Sequence, residues 1–118
     1  MSRISTPFII AATLLLATVS VLGTGYTAQQ DGEVAAIRFS GHHFTPQTLT
    51  VPAGRPLAIK VVNASNETIE FESFKLNREV AMTPGETIRV RLPALSPGSY
   101  DFYDDFHQDV PEGVIVAK

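Results

Sequence analysis

The sequence predicts an all-β sandwich of about seven or eight short strands, and three observations carry that prediction. Beyond Gln30 apolar and polar residues alternate with period two. Turn signals recur at roughly the 8–12-residue spacing of antiparallel sandwiches. No apolar stripe of helical period interrupts the pattern.

The elements follow in order. Val34, Ala36 and the Ile37–Phe39 pair mark a first strand, and a turn at Thr45-Pro46 leads to a second at Thr48–Val51. Pro52-Ala53-Gly54 is turn chemistry. In residues 56–63 (PLAIKVVN) Leu57, Ile59 and Val61 alternate against Ala58, Lys60 and Val62, and Asn63 to Asn66 end the strand. Residues 68–74 (TIEFESF) form the next strand, and a short helical turn is expected over residues 76–80. After Pro84-Gly85, residues 87–92 (TIRVRL) set Ile88, Val90 and Leu92 against Arg89 and Arg91. Ser96-Pro97-Gly98 turns the chain into strands over residues 99–104 and 113–117. The expected core includes Ile59, Val61, Phe71, Ile88, Val90, Phe102 and Ile115.

The chain has 118 residues, room for one domain. Arg3 is the only charged residue before Asp31, and residues 7–22 (PFIIAATLLLATVSVL) are nearly all apolar. That is the pattern of a signal peptide over residues 1–28, cleaved near 25–28, with the domain over residues 29–118. An uncleaved N-terminal anchor is the alternative. Either places the domain outside the inner membrane, in the periplasm. No Cys follows the apolar run, which excludes a lipoprotein anchor. The chain has no Cys at all, which removes blue copper, iron–sulfur clusters, zinc–thiolate sites and a Cys nucleophile. The net charge of −3 and the lack of a basic patch argue against nucleic acid. No phosphate-binding glycine loop or nucleophile elbow is present, so no hydrolase motif is found.

The residues able to do chemistry gather in two segments. One holds Glu70, Glu72, Arg78 and Glu79, the other Asp101, Asp104, Asp105, His107, Asp109 and Glu112. Asp104 shares strand parity with Tyr100 and Phe102, so it points inward at a strand end. A buried carboxylate needs a cation, a proton or hydrogen bonds. His107, three residues on, can meet it at one ion. Glu70 and Glu72 take the face opposite to Ile69 and Phe71. Of His42 and His43, adjacent in a loop-like stretch, at most one joins a common site. Met82 is either a soft ligand or core. The bland reading is a solvated acidic end with His107 capping a loop.

Two segments resemble a known family. Residues 44–63 (FTPQTLTVPAGRPLAIKVVN) are similar to the opening, and residues 95–118 (LSPGSYDFYDDFHQDVPEGVIVAK) to the close, of the periplasmic cupredoxin-like proteins. The resemblance implies a cupredoxin-like (Greek-key) β-sandwich. In the usual blue-copper member a His, a Cys, a second His and a Met hold the metal. Glu70, Asp104 and His107 match the first three positions, and no Met stands near residues 110–112, where the fourth falls. With residues 70–79 (EFESFKLNRE) and DDFH, the chain resembles a Cys-free subgroup associated with bacterial ferrous-iron permeases.

That resemblance implies a metal site at Glu70, Asp104 and His107, with Glu72 and Asp105 next and His43, Glu79 and Met82 as auxiliary candidates. The cofactor is a copper or iron ion. Carboxylates with one imidazole suit Fe(III), Cu(II) or Mn(II) better than Cu(I). The implied role is binding or oxidising Fe(II), or electron transfer, in a periplasmic iron-uptake system. Its partners would be an inner-membrane iron permease or other uptake components, and a homodimer stays open. A periplasmic copper-binding chaperone and a metal-free structural adaptor are the alternatives.

Overall fold

The computed structural model describes residues 32–118, which form two stacked sheets. The expected signal peptide and its cleavage point lie outside these residues. In chain order the strands are β1 (Glu33–Ser40), β2 (His43–Thr45), β3 (Thr48–Val51), β4 (Leu57–Asn63), β5 (Ile69–Ser73), β6 (Arg78–Met82), β7 (Thr87–Leu92), β8 (Gly98–Asp104) and β9 (Gly113–Ala117). One sheet has the order β2-β1-β4-β7, the other β3-β9-β8-β5-β6. Among the described residues there is no helix.

Three expectations need correction. The sandwich is not wholly antiparallel, because β1 pairs parallel with β4 and β3 parallel with β9. Alternation reports which face a residue takes and carries no information on the direction of its neighbour strand. Nine strands replace seven or eight, the additions being the short edge strands β2 and β6. The helical turn expected over residues 76–80 is a hairpin turn followed by β6. Asn77 takes a left-handed conformation (φ 52°), which reverses the chain. Ser73 holds the turn by donating to the Asp101 carbonyl (2.6 Å) and accepting the Leu76 N–H (3.3 Å). Val80 and Met82 then face Phe71 and Ile69 across the ladder.

The core fills the space between the sheets. Of the seven residues expected there, Ile59, Val61, Phe71, Val90, Phe102 and Ile115 are buried, and Ile88 on the edge strand β7 is half-buried. Phe44 stands edge-on to Phe102 with ring centroids 5.1 Å apart, and Phe71 lies 5.4 Å from Phe102. Such pairs each add about 0.5–1.5 kcal/mol beyond their burial. The edge strands β6 and β7, one from each sheet, are joined by Arg78. Its guanidinium donates to the Arg91 carbonyl from Nε (3.0 Å) and Nη2 (2.7 Å).

Gly113, opposite Phe102 in the β8–β9 ladder, is where the core leaves no room. A Cβ there would overlap three ring carbons of Phe102, a rigid side chain with no exposure. Gly113→Ala is expected to lower stability by about 1–3 kcal/mol, the usual range for overpacking. A urea midpoint equal to that of the unsubstituted protein would contradict this packing.

Candidate metal centre

The pairing of β5 with β8 places the acids. Phe71 lies opposite Asp104 and Glu72 opposite Tyr103. Strand alternation then sends Ile69, Phe71, Phe102 and Asp104 inward, and Glu70, Glu72 and Tyr103 to the outer face. On β6, Glu79 stands opposite Glu72 on that same outer face. The acids thus form two groups on either side of one sheet layer.

The inner group is Asp104 with His107. Asp104 is 1 % exposed, as its parity with Phe102 requires. One carboxylate oxygen accepts the backbone N–H groups of Glu70 (2.9 Å) and Phe106 (3.1 Å). The other accepts from His107 Nδ1 at 2.7 Å. The His107 amide also donates to the Asp104 carbonyl (3.2 Å), which folds the loop back over the strand end. Among the described residues no buried side-chain N or O atom lacks a partner. Hydrogen bonds therefore meet the demand of a buried carboxylate without an ion. The bond to Asp104, more than its charge, holds the His107 imidazole above its ordinary value, against a partial desolvation that lowers it.

The outer group is Glu70, Glu72 and Asp105. Each offers a carboxylate oxygen, and these three atoms lie within 4.8 Å of one another. Partial desolvation first, then the Glu79 and Asp105 carboxylates, raise the Glu70 carboxyl above the usual glutamate value, and Glu72 adds to this. Tyr103 is raised as well, by desolvation and by its hydrogen bond to Glu72. A cavity of about 210 Å³, lined by Tyr103, Asp104, Asp105, Gln108, Val110 and Glu112, opens beside the group.

The structure thus brings Glu70 together with Glu72 and Asp105, and Asp104 together with His107. It does not gather Glu70, Asp104 and His107 into one ligand set; the Glu70 backbone, not its carboxylate, is what touches Asp104. Glu79 borders the outer group through Glu70. Met82 is fully buried in the core. His43 is exposed on β2, whereas His42 occupies the turn above the strand ends. Gly41 (φ 58°) and His42 (φ 59°) are the two left-handed residues of a tight hairpin between β1 and β2.

Sequence reasoning passed over Asn63 and Glu67. The Asn63 side chain is fully buried; its Nδ2 donates to the carbonyls of Glu67, Met82 and Thr83 at 2.8–3.1 Å. Its Oδ1 accepts from the Ser65 amide (3.1 Å) and hydroxyl (2.6 Å). That network fixes the loop before β5 and so places Glu67, which bonds His42. The signal for it was an Asn ending an apolar strand.

A family profile for the cupredoxin-like domain matches residues 8–117. The chain belongs to the cupredoxin-like family. Uncharacterized protein RP394 of Rickettsia prowazekii (strain Madrid E) is 38% identical over 82 residues, 70% of this chain and 66% of that protein, just under two thirds of its length. Among solved structures, auracyanin A, a "blue" copper protein from Chloroflexus aurantiacus, superposes with a TM-score of 0.60 at 17% identity, covering 74% of this chain and 100% of that one. The purple cupredoxin from Nitrosopumilus maritimus gives 0.53 at 17% identity, over 71% of this chain and 99% of that one. The metal-binding domain of the Streptococcus pneumoniae Cu(I)-exporting ATPase CopA gives 0.59 at 15%, over 70% and 82%.

A blue-copper centre does not fit this cupredoxin-like chain. It has no Cys, and Asp104, at the position matched to the Cys, already carries three hydrogen bonds. The outer carboxylates do fit a hard cation, which favours anionic oxygen donors.

Proposed function

We propose that this cupredoxin-like protein is an exported metal-binding protein that holds iron or copper through Glu70, Glu72 and Asp105, as the periplasmic component of an iron-uptake system. The single observation that carries the reading is the close set of three carboxylate oxygens, with Glu70 raised by desolvation and then by its acidic neighbours. Like charges so close favour a proton or a cation among them. When bound, iron or copper would supply one-electron redox chemistry, and an all-oxygen set favours the oxidised, harder ion. The chain's own residues do the rest. Tyr103 donates to Glu72, which orients that donor, and Asp104 accepts the Glu70 backbone N–H, which anchors the strand that carries Glu70. Export, Fe(II) oxidation and docking on an inner-membrane permease draw their support from the apolar N-terminal run and from the likeness of residues 70–79 to the Cys-free subgroup.

Calorimetric titration with Fe(II) under anaerobic conditions, and with Cu(II), tests the site. Glu70→Gln combined with Glu72→Gln should remove binding of the iron ion, with the far-UV spectrum unchanged. Iron affinity equal to that of the unsubstituted protein would end this assignment of the site, and an unsubstituted protein that binds neither ion would favour a metal-free adaptor.

A further inference from the structure

One edge strand of each sheet borders the same side of the sandwich, β6 from the five-stranded sheet and β7 from the four-stranded one. Only half of the β6 backbone is used. Glu70 turns its main chain to β8, because its N–H donates to Asp104 and its carbonyl accepts the Asp105 amide (3.1 Å). Main-chain groups alternate sides along an antiparallel strand, so Phe71 and its ladder partner Val80 bond each other. Glu79 and Ala81 then point their N–H and C=O away from β5, along the free edge. The facing edge of β7 is closed at Arg91, whose carbonyl the Arg78 guanidinium takes. Between the two strands lies a groove of about 450 Å³ over Val80, Ile88 and Val90, with Arg78 in its wall. Charge marks this edge as well. On the outer face Glu79 stands directly opposite Glu72, a like-charge cross-strand pair that costs stability. Neither has a salt bridge to Lys or Arg among the described residues. On the other face, the hydrogen bonds of Arg78 all go to neutral carbonyls, those of Leu76, Asn77 and Arg91, so its positive charge is not offset by them.

We propose that the β6 edge receives an extended segment of a partner protein, added antiparallel as a further strand, with a basic residue opposite Glu79 and an acidic one opposite Arg78. Main-chain bonds to Glu79 and Ala81 supply affinity in this mode of binding, and alternate side chains supply specificity. The partner residue opposite Val80 is apolar and enters the groove. The basic residue relieves the repulsion between Glu72 and Glu79. From its N-terminal end the segment therefore reads apolar, basic, acidic opposite Val80, Glu79 and Arg78. Charge on an edge repels unmatched strands and so selects a complementary one. A second copy of the chain is a poor match. Antiparallel pairing of β6 with itself about Val80 sets Glu79 against Ala81 and Arg78 against Met82, which answers neither charge. The edge is separate from the proposed ion site, since Glu79 is not among its three donors.

Amide NMR spectra of the purified, isotope-labelled protein test this. Titration with the peptide acetyl-Val-Thr-Val-Lys-Glu-amide to millimolar concentration should move the Glu79 and Ala81 amides first. The isomer acetyl-Val-Thr-Val-Glu-Lys-amide has the same net charge. It should bind about tenfold more weakly, because two attractive cross-strand pairs become repulsive. Glu79→Lys should remove that preference, and the exposure of Glu79 leaves the fold undisturbed by the change. Ala81→Pro takes an N–H from the free edge, where proline is tolerated, and should abolish binding of both peptides. Equal affinity for the two peptides, no shift at Glu79 and Ala81, or shifts centred on β2, β3 or β7 would overturn the proposal. So would binding retained in Ala81→Pro. Glu79 and Ala81 amides that move with protein concentration alone would also overturn it, by marking the edge as a contact between copies of the chain.

Discussion

Asp104→Ala is expected to remove a large share of the stability of the domain. The substitution deletes an acceptor from a site that is 1% exposed and orphans three donors: the amides of Glu70 and Phe106 and the Nδ1–H of His107. Breaking a buried charged pair of this kind costs about 3–5 kcal/mol, against a total of about 5–15 kcal/mol for a typical domain. Asp104→Asn should cost less, because one oxygen can still accept the two amides. The His107 share has a definite pH dependence. Its imidazole is raised above 6.5 in the folded state, chiefly by the hydrogen bond to Asp104. That share is fully present below about 6.5 and is lost as the pH rises through the raised folded value. The gap between the unsubstituted protein and Asp104→Ala should therefore narrow on the alkaline side. Urea unfolding at several pH values measures both effects. A loss below about 1 kcal/mol would deny Asp104 this anchoring role.

The second large effect concerns the outer carboxylates, whose mutual repulsion lowers stability once they are ionised. Glu70 is raised above 4.5 in the folded protein by desolvation and its acidic neighbours. The folded state then binds the proton more tightly than the unfolded chain, so stability falls as the pH rises from 4.5 through the raised value. Glu70→Gln should flatten that decline in the metal-free protein. An ion that binds only the folded state should reverse it, by about 2.7 kcal/mol at a free concentration one hundred times its Kd. Thermal unfolding at neutral pH, with and without Fe(II) or Cu(II), reads this directly. A melting temperature that ignores the ion, or a pH profile unchanged in Glu70→Gln, would contradict the crowding at this site.

The inner Asp104–His107 pair and the outer acids differ in how far the sequence disclosed them. Asp104 was legible because Tyr100 and Phe102 fix the parity of β8, and parity is local. The division of Glu70 and Glu72 from Ile69 and Phe71 followed for the same reason. Pattern could not say that the Glu70 carboxylate would turn to Asp105 and Glu72 while its backbone served Asp104. That depends on which strand lies beside β5, and the β5–β8 register spans about 33 positions of chain.

The histidines show the same limit. Strand parity separated His42 from His43, yet the turn geometry at Gly41 and His42 decided which ring lies beside His107. Period-two alternation, turn residues and the missing Cys determined the β class, most of the core and the exclusion of blue copper, because each is a property of neighbours along the chain. The parallel pairings, the edge strands β2 and β6, the partners of Asp104 and the meeting of His42 with His107 were decided only by the tertiary structure. Each is a contact between distant segments, and its energy exists only once the two sheets have packed.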